Sequence, residues 1–418
     1  MSRHIEIKEI SGGVLAAEGF VAAAMASGIK PPPALDLVMI HSQLPAAAAA
    51  TVTKNRFRAA PTYVTQEAVA DGKAQTIICN SGNANAGTGR QGMEDARRMA
   101  QLAAEATGVE PSDVIVCSTG HIGDLMPMDT VAAGIEQLGG QLSRDNPDKI
   151  ARGIMTTDTV PKQYAVEFTI GGKTAKLGGI CKGAGMICPN MATMLCFITT
   201  DASIDAKPLR DALSWCVARS FNCISVDGDM STNDTVAILA NGQAGNPTIS
   251  DATSDDAATF RAALLYVTQE LAKKIAADGE EATKFITVEI TGAADYNEAR
   301  TAGRAVTNYN LLKTAAYGGD FNWGRVAAAV GSSEVPFDPD RVSITISGIT
   351  VFADGKVQDF DINAGRAKMA EKEIEIVIDL ARGPESLTLW TCDLTPGYVH
   401  YNAEYDASEL AGAEEENK

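Results

Sequence analysis

KGAGMICPNMATMLCF, residues 182–197, lies near the middle of the chain and changes character halfway along. Its first half is punctuated by glycine, which predicts a loop, and the apolar run Met194–Ile198 has the length of a strand. Thr193 is therefore predicted to stand where the loop meets the strand. Such junctions are common places for a reactive side chain.

A threonine at this junction can act as a nucleophile only if a base removes its hydroxyl proton. The α-amino group of the same threonine can be that base, provided that the preceding peptide bond is cut. The bond concerned joins Ala192 to Thr193. On these residues alone, an ordinary uncut junction remains the alternative.

Composition limits the class of protein. The chain has 418 residues, of which 45% are hydrophobic, enough for a large core in two domains or in one two-layered unit. It carries 53 acidic and 35 basic residues, and the net charge of -18 repels nucleic-acid phosphates and anionic lipid. The N-terminus lacks the apolar stretch of a signal peptide, so we expect a cytoplasmic protein without nucleic-acid or membrane partners.

Cysteine and histidine usage narrows the chemistry. The eight cysteines have no Cys-x-x-Cys spacing, which predicts reduced core thiols and neither disulfides nor a metal site. There are four histidines, and the Gly-x-Ser-x-Gly elbow of many serine hydrolases is missing. This scarcity favours a nucleophile that supplies its own base.

Local patterns place several elements before and after this segment. We predict a buried strand at Gln75–Cys79 ending in the turn-forming cluster Asn80–Asn83, a helix over 92–107 with a Glu94–Arg98 pair, and a strand at 114–117. The strand at 114–117 leads into Ser118-Thr119-Gly120, where a hydroxyl and an unhindered N–H adjoin. That pair could hold an oxyanion, and a plain turn is the alternative.

Later patterns indicate one more long helix and alternating strands. Apolar residues from Phe260 to Ile275 recur at helical spacing, and the strands around 286–290, 342–346 and 374–378 alternate as in antiparallel sheet. The stretch from Asp227 has Thr232 at the sixth position of a calcium loop, where glycine is required, and Ile238 at the twelfth, where glutamate is required. Gly183-Ala184-Gly185 lacks the Gly-Lys-Ser/Thr ending of a phosphate loop. We predict no metal and no organic cofactor. Lys182 suits a substrate carboxylate, with a solvated surface lysine as the alternative.

Several separated motifs occur in one order along the chain. They are residues 80–86, 118–120, 156–159, 182–202, 227–229, 278–280 and 322–325. In this order they resemble the ornithine acetyltransferase (glutamate N-acetyltransferase) family over nearly the whole chain. The resemblance implies an α+β fold of two packed domains, with stacked mixed sheets flanked by helices, as in self-cleaving acyltransferases with an N-terminal threonine. It also implies a cut that yields an α chain, 1–192, and a β chain, 193–418, with two copies of each assembling together.

The same resemblance implies a function and a set of site residues. The expected reaction moves acetyl from N-acetyl-L-ornithine to L-glutamate in arginine biosynthesis, through an acetyl ester on Thr193; whether acetyl-CoA is a second donor stays open. The Thr119 hydroxyl and the Gly120 N–H would form the oxyanion hole. The substrate residues would be Thr156, with Thr157 a close second, and Lys182, Thr193, Glu280 and Asn402. The alternatives are an acyltransferase of altered amino-acid specificity, an aminopeptidase-like amide hydrolase, or a binding protein that is never cut.

Three positions depart from the family pattern. His121 replaces an apolar residue beside the predicted oxyanion hole, and Glu281 stands where glycine usually follows the substrate glutamate. Near the C-terminus, Ala407 occupies the place of a hydroxyl residue, with Ser408 one position late. We therefore expect acetyl transfer to be retained and the preference among amino acids to be the property most open to change.

Overall fold

Three sheets with helices packed on them make up the chain, in a computed structural model that describes residues 6–188 and 194–404. The strands are β1 (Ile7–Ile10), β2 (Phe20–Met25), β3 (Leu37–Ser42), β4 (Ala47–Val52), β5 (Thr76–Asn83), β6 (Val114–His121), β7 (Lys162–Ile170), β8 (Lys173–Lys182), β9 (Leu195–Thr200), β10 (Thr235–Ala240), β11 (Phe285–Ala293), β12 (Ser343–Ile346), β13 (Ile349–Ala353), β14 (Lys356–Val357), β15 (Glu373–Asp379) and β16 (Glu385–Cys392). The helices are α1 (Ala60–Ala68), α2 (Gly89–Thr107), α3 (Met128–Gly139), α4 (Pro147–Gly153), α5 (Ala206–Ala218), α6 (Asp255–Ala277), α7 (Tyr296–Thr307), α8 (Asn310–Tyr317), α9 (Trp323–Gly331), α10 (Ile362–Met369) and α11 (Pro396–Glu404).

The sheets are mixed, and the strand order shows how distant parts of the chain meet. The first sheet runs β1-β7-β8-β9-β10-β4, the second β2-β3-β5-β6, and the third β14-β13-β12-β15-β11-β16. Parallel pairs such as β9 with β10 and β5 with β6 adjoin antiparallel ones. The expected α+β architecture of mixed sheets flanked by helices is confirmed.

The two pieces that a cut after residue 192 would create share the first sheet. β9 and β10, which follow the cut, lie side by side in the sheet and pair on their outer edges with β8 and β4, which precede it. Core residues of this sheet, such as Phe197 and Ile198, are fully buried. A cut would therefore leave the pieces joined by strand pairing and by a common core.

Two predicted strand ends were wrong. β5 continues through Asn80–Asn83, and all eight of its residues are buried; β6 continues through Ser118 to His121. β5 is an inner strand of the second sheet and β6 is its edge strand, and the two pair in parallel through these residues. Some of the polar side chains also have partners: Asn80 Nδ2 donates to the Asn83 carbonyl at 2.8 Å, and Ser81 Oγ donates to the Gly153 carbonyl at 2.9 Å. Tertiary pairing outweighs the local turn preference of these residues.

The helices agree better with their patterns. α6 carries the predicted apolar stripe, whose members Phe260 and Leu264 are fully buried. α2 ends at the left-handed Gly108, but Glu94 pairs with Arg90 at 3.1 Å, so the expected Glu94–Arg98 pair was wrong. The third sheet is not purely antiparallel, because β11 and β15 run parallel. All eight cysteines are buried and form no disulfide within the described residues. No helix among residues 6–188 and 194–404 is long and apolar enough to cross a membrane.

Candidate active site

The ends of several strands line one cavity of about 210 Å³. β6 ends there with Thr119 and Gly120, and β8 ends there with Lys182. Met194 and Leu195, at the start of β9, also line it. The cavity wall is completed by Thr156, Glu280 and Asn402, so each described residue that was predicted for the site lines the same cavity. Ala192 and Thr193 lie outside the described residues.

Gly120 sits where no side chain fits. Its φ is +137°, and a Cβ atom would lie 2.2 Å from the Gly82 carbonyl carbon of the neighbouring strand β5. The close pairing of Gly82 with Gly120 thus brings the end of β6 against β5 and leaves the Thr119 side chain at the cavity. Asn233 fixes this corner, because its Nδ2 donates to the carbonyls of Ser118, at 2.9 Å, and Ala84, at 2.5 Å.

Lys182 is buried, which contradicts the alternative of a solvated surface lysine. The residue is only 8% exposed, and it lines the cavity. Its Nζ donates to Thr156 Oγ1 at 2.7 Å. Nζ also lies 3.5 Å from Thr119 Oγ1. Burial lowers the pKa of Lys182, and the nearby carboxylates of Asp158 and Glu280 oppose that shift. The arrangement presents a cation beside a pair of hydroxyl groups.

Glu280 forms the opposite end of the cavity. Thr157 Oγ1 donates to its Oε1 at 2.8 Å, and Asn402 Nδ2 donates to its Oε2 at 3.0 Å. Gly185 allows this position, because a Cβ there would lie 2.2 Å from Glu280 Oε1. Thr156 and Thr157 therefore divide the site between them, one contacting Lys182 and the other Glu280. The cavity wall therefore carries a cation, Lys182, and a carboxylate, Glu280, a pair of charges that suits a zwitterionic substrate.

Other wall residues were not predicted as site residues. Asp227 accepts hydrogen bonds from the Met186 and Ile187 N–H groups at 2.6 and 2.8 Å, and from the Tyr398 hydroxyl at 3.3 Å. Burial, with the charge of Asp227 beside it, raises the pKa of Tyr398. Asp234 is 1% exposed, and burial raises its pKa well above the usual range, although Lys182 opposes this. The available signal was the acidic run 227–234, since residues 227–229 are one of the family motifs. No cluster within the described ranges could hold a metal ion.

Comparison with known sequences decides the family. Residues 21–407 match the ArgJ family. The chain belongs to the ArgJ family.

Two named relatives resemble the chain over nearly its whole length, and a solved structure resembles part of it. The chain is 48% identical to the arginine biosynthesis bifunctional protein ArgJ of Symbiobacterium thermophilum, over 95% of this chain and 99% of that protein. It is 42% identical to the glutamate N-acetyltransferase of Methanothermobacter thermautotrophicus, over 96% and 99% of the two chains. A solved structure of ornithine acetyltransferase from Mycobacterium tuberculosis, complexed with ornithine, is 39% identical, with a TM-score of 0.42, and covers 45% of this chain and 100% of that chain.

The departures from the expected ArgJ pattern have distinct structural settings. His121 directly follows Thr119 and Gly120, and its side chain is 32% exposed. Its Nδ1 lies 2.5 Å from Asp124 Oδ2. Glu281 adopts a left-handed backbone with φ +56°, a conformation that glycine adopts without strain. Ala407 and Ser408 lie outside the described residues.

Proposed function

We propose that this chain is the acetyltransferase of arginine biosynthesis that moves acetyl from N-acetyl-L-ornithine to L-glutamate. The observation that carries the proposal is the single cavity lined by Thr119, Gly120, Lys182, Glu280 and Asn402, which come from widely separated parts of the chain. Membership of the ArgJ family and the 42% identity to a glutamate N-acetyltransferase support the reaction.

The first step is self-cleavage between Ala192 and Thr193. The Thr193 Oγ attacks the Ala192 carbonyl carbon, the peptide C–N bond breaks, and the threonine nitrogen takes up the proton. Water then hydrolyses the resulting ester, which frees the hydroxyl and leaves Thr193 with an α-amine. That amine is the base that the side chain needs in turnover.

The second step is acetyl transfer. The Thr193 Oγ attacks the acetyl carbonyl of acetylornithine while the α-amine takes the hydroxyl proton. The Thr119 hydroxyl and the Gly120 N–H stabilise the oxyanion, and the proton passes to the departing nitrogen as ornithine leaves. The amine of glutamate then attacks the acetyl ester and restores the free hydroxyl.

The carboxylate and the ammonium of a substrate are assigned to different residues of the cavity. Lys182, with Thr156 beside it, binds a substrate carboxylate, and Glu280, held by Thr157 and Asn402, binds a substrate ammonium. The processed enzyme is assigned to the cytoplasm, with two α and two β chains per assembly. Strand pairing across the first sheet keeps each α chain with its β chain after the cut.

Thr193→Ala tests the nucleophile. We expect the variant to stay at the full 43.7 kDa on a denaturing gel and to transfer no acetyl, since both steps need the hydroxyl. Wild type should give two bands, and Thr193→Ser should process slowly because its hydroxyl remains. Cleavage of Thr193→Ala at the same bond would overturn the mechanism.

A competition assay tests the reaction itself. Wild type and Ala407→Thr receive acetylornithine with glutamate, with other amino acids, or with water as the acceptor. We expect glutamate to be the preferred acceptor of wild type; a shift of preference in Ala407→Thr would assign specificity to the C-terminal departure. Dominant hydrolysis by wild type would favour the amide hydrolase instead.

A further inference from the structure

A buried ion cluster lies directly behind the cavity, and the proposed chemistry does not use it. Lys162, the first residue of β7, is fully buried, and its Nζ lies 2.5 Å from Asp158 Oδ1 and 2.5 Å from Asp278 Oδ2. The Asp158 side chain is also fully buried, and that of Asp278 is 9% exposed. Burying three charges is unfavourable unless each is well paired, so such a cluster calls for a reason.

The Asp158 arm leads to the Lys182 end of the cavity. Asp158 Oδ1 accepts from the Gly183 N–H at 2.7 Å, and Oδ2 accepts from the Thr156 N–H at 3.0 Å. Thr156 itself contacts Lys182, and Gly183 follows Lys182 in the sequence. Asp158 therefore holds the backbone on both sides of the Lys182–Thr156 contact. Burial raises the pKa of Asp158, but the charges of Lys182 and Lys162 outweigh it and hold the pKa at about 2, so Asp158 is a carboxylate at neutral pH.

The Asp278 arm leads to the Glu280 end. Asp278 follows α6 directly and accepts from the Thr159 N–H at 3.1 Å and from the Thr159 hydroxyl. Glu280 comes two residues later, and its N–H donates to the Ala184 carbonyl at 3.0 Å. The loops 156–159, 182–185 and 278–280 therefore converge on the Lys162 ammonium.

We propose that Asp158, Lys162 and Asp278 form a positioning triad that sets the separation of the two ends of the cavity. The triad touches no substrate; its Asp158 arm orients Thr156 and Lys182 beside Thr119, and its Asp278 arm orients Glu280. The inference rests on the proposed function, because it takes the Lys182 end to hold both the oxyanion hydroxyl and the lysine that binds a carboxylate, and the Glu280 end to bind an ammonium.

The division predicts different kinetic effects for two mild substitutions. Asp278→Asn keeps an acceptor for Thr159 and removes the charge that faces Lys162; we expect the KM for acetylornithine to rise about tenfold with kcat within about twofold, as when ground-state and transition-state binding weaken equally. Asp158→Asn disturbs the end that holds both the Thr119 hydroxyl and Lys182, so kcat should fall by about tenfold or more while KM also rises. Lys162→Met would leave two unpaired buried carboxylates and is unsuitable because it threatens folding.

Asp201→Asn is the matched control. Asp201 is 2% exposed and accepts from the N–H groups of Lys176 and Glu18, but it does not line the cavity. It should change KM and kcat by less than about twofold, in line with a substitution remote from the site. Equal kinetic effects in all three variants, or the same KM and kcat pattern in Asp158→Asn and Asp278→Asn, would overturn the triad.

A structural readout separates this inference from the proposed function. Crystal structures of wild type and Asp278→Asn should show the Glu280 carboxylate displaced from Thr157 while the Lys182–Thr156 contact stays. An unmoved Glu280 would overturn the triad. If wild type transferred no acetyl, the proposed function would fail, and the crystal comparison alone would decide whether the triad positions the site.

Discussion

The two ends of the cavity are built in different ways. At the oxyanion end, where the proposed oxyanion donors lie, Thr119 and Gly120 stand near the end of the edge strand β6 and Lys182 ends the inner strand β8. There Gly120 packs backbone against backbone on Gly82 of β5. At the substrate end, Glu280 lies on a loop and Asn402 on α11, a helix without buried residues in its described length. Rigid strands suit a group that must meet a transition state, and surface elements tolerate change. Two of the three departures, Glu281 and Ala407, belong to the substrate end of the sequence pattern, and His121 lies at the partly exposed edge of the oxyanion end. We therefore expect turnover to be retained and specificity to be the more adjustable property.

Gly120→Ala should produce the largest effect. The new Cβ would lie 2.2 Å from the Gly82 carbonyl carbon, and neither backbone can move cheaply inside the second sheet. We expect the free energy of unfolding to fall by more than about 3 kcal/mol. Turnover should fall with it, because the Gly120 N–H is displaced from the oxyanion corner; urea unfolding and the acetyl-transfer rate measure the two.

Gly123→Ala is the control for backbone strain. Gly123 also has a positive φ, +110°, but a Cβ there would meet no atom within 4 Å. The variant should lose only about 1–2 kcal/mol, the strain of the backbone alone. Equal losses in Gly120→Ala and Gly123→Ala would show that the oxyanion end is less tightly packed than the comparison requires.

Thr119→Val tests the chemistry at the same end. The substitution keeps the shape and removes one proposed oxyanion donor, so kcat should fall about a hundredfold, equivalent to about 3 kcal/mol. Asn402→Ala, at the substrate end, should instead raise KM with kcat little changed, because Asn402 acts by holding the Glu280 carboxylate. A variant Thr119→Val with normal kcat and raised KM would reverse the assignment of the two ends.

The buried cation predicts a pH effect at the oxyanion end. Burial lowers the pKa of Lys182 from the ordinary lysine value of 10.5, so the ammonium loses its proton at a lower pH than a surface lysine does. The KM for a carboxylate-bearing substrate should therefore rise as the solution approaches the lowered pKa. Lys182→Arg keeps its charge at every accessible pH. It should remove that rise, and an identical profile in both proteins would assign the carboxylate to another group.

Sequence patterns predicted the parts of the molecule in which local preference and tertiary structure agree. The apolar stripe from Phe260 to Ile275 predicted α6, because the helical spacing of apolar residues can be read from the sequence itself. Asn80–Asn83 and Ser118–His121 were expected to form loops, yet they extend β5 and β6. The backbone pairing of β5 with β6 and the bond from Ser81 to the Gly153 carbonyl are supplied only by the folded sheet, and local propensity cannot anticipate them.

The site shows the same limit. Thr119, Lys182 and Glu280 were predicted from a family resemblance, and the fold brings them to one cavity. Lys162 gave no sequence signal, since a lysine at the start of an alternating strand is ordinarily exposed. Its burial follows from two carboxylates that arrive from positions 158 and 278, and such a meeting is a property of the topology.

The smallest predicted effect concerns the departure at Glu281. Its φ of +56° is unfavourable for a side chain with a Cβ atom, by about 1–2 kcal/mol, whereas glycine adopts it freely. Part of the gain is offset because glycine makes the unfolded chain more flexible, so Glu281→Gly should raise the free energy of unfolding by about 0.5–1 kcal/mol. Glu334→Gly is the matched control, since this exposed glutamate also has a positive φ, +62°, and does not line the cavity. Both variants should gain similar stability in urea, and only Glu281→Gly, next to Glu280, should change the KM for acetylornithine. If Glu334→Gly also changed KM, then backbone relaxation, and not the charge beside Glu280, would alter specificity at the substrate end.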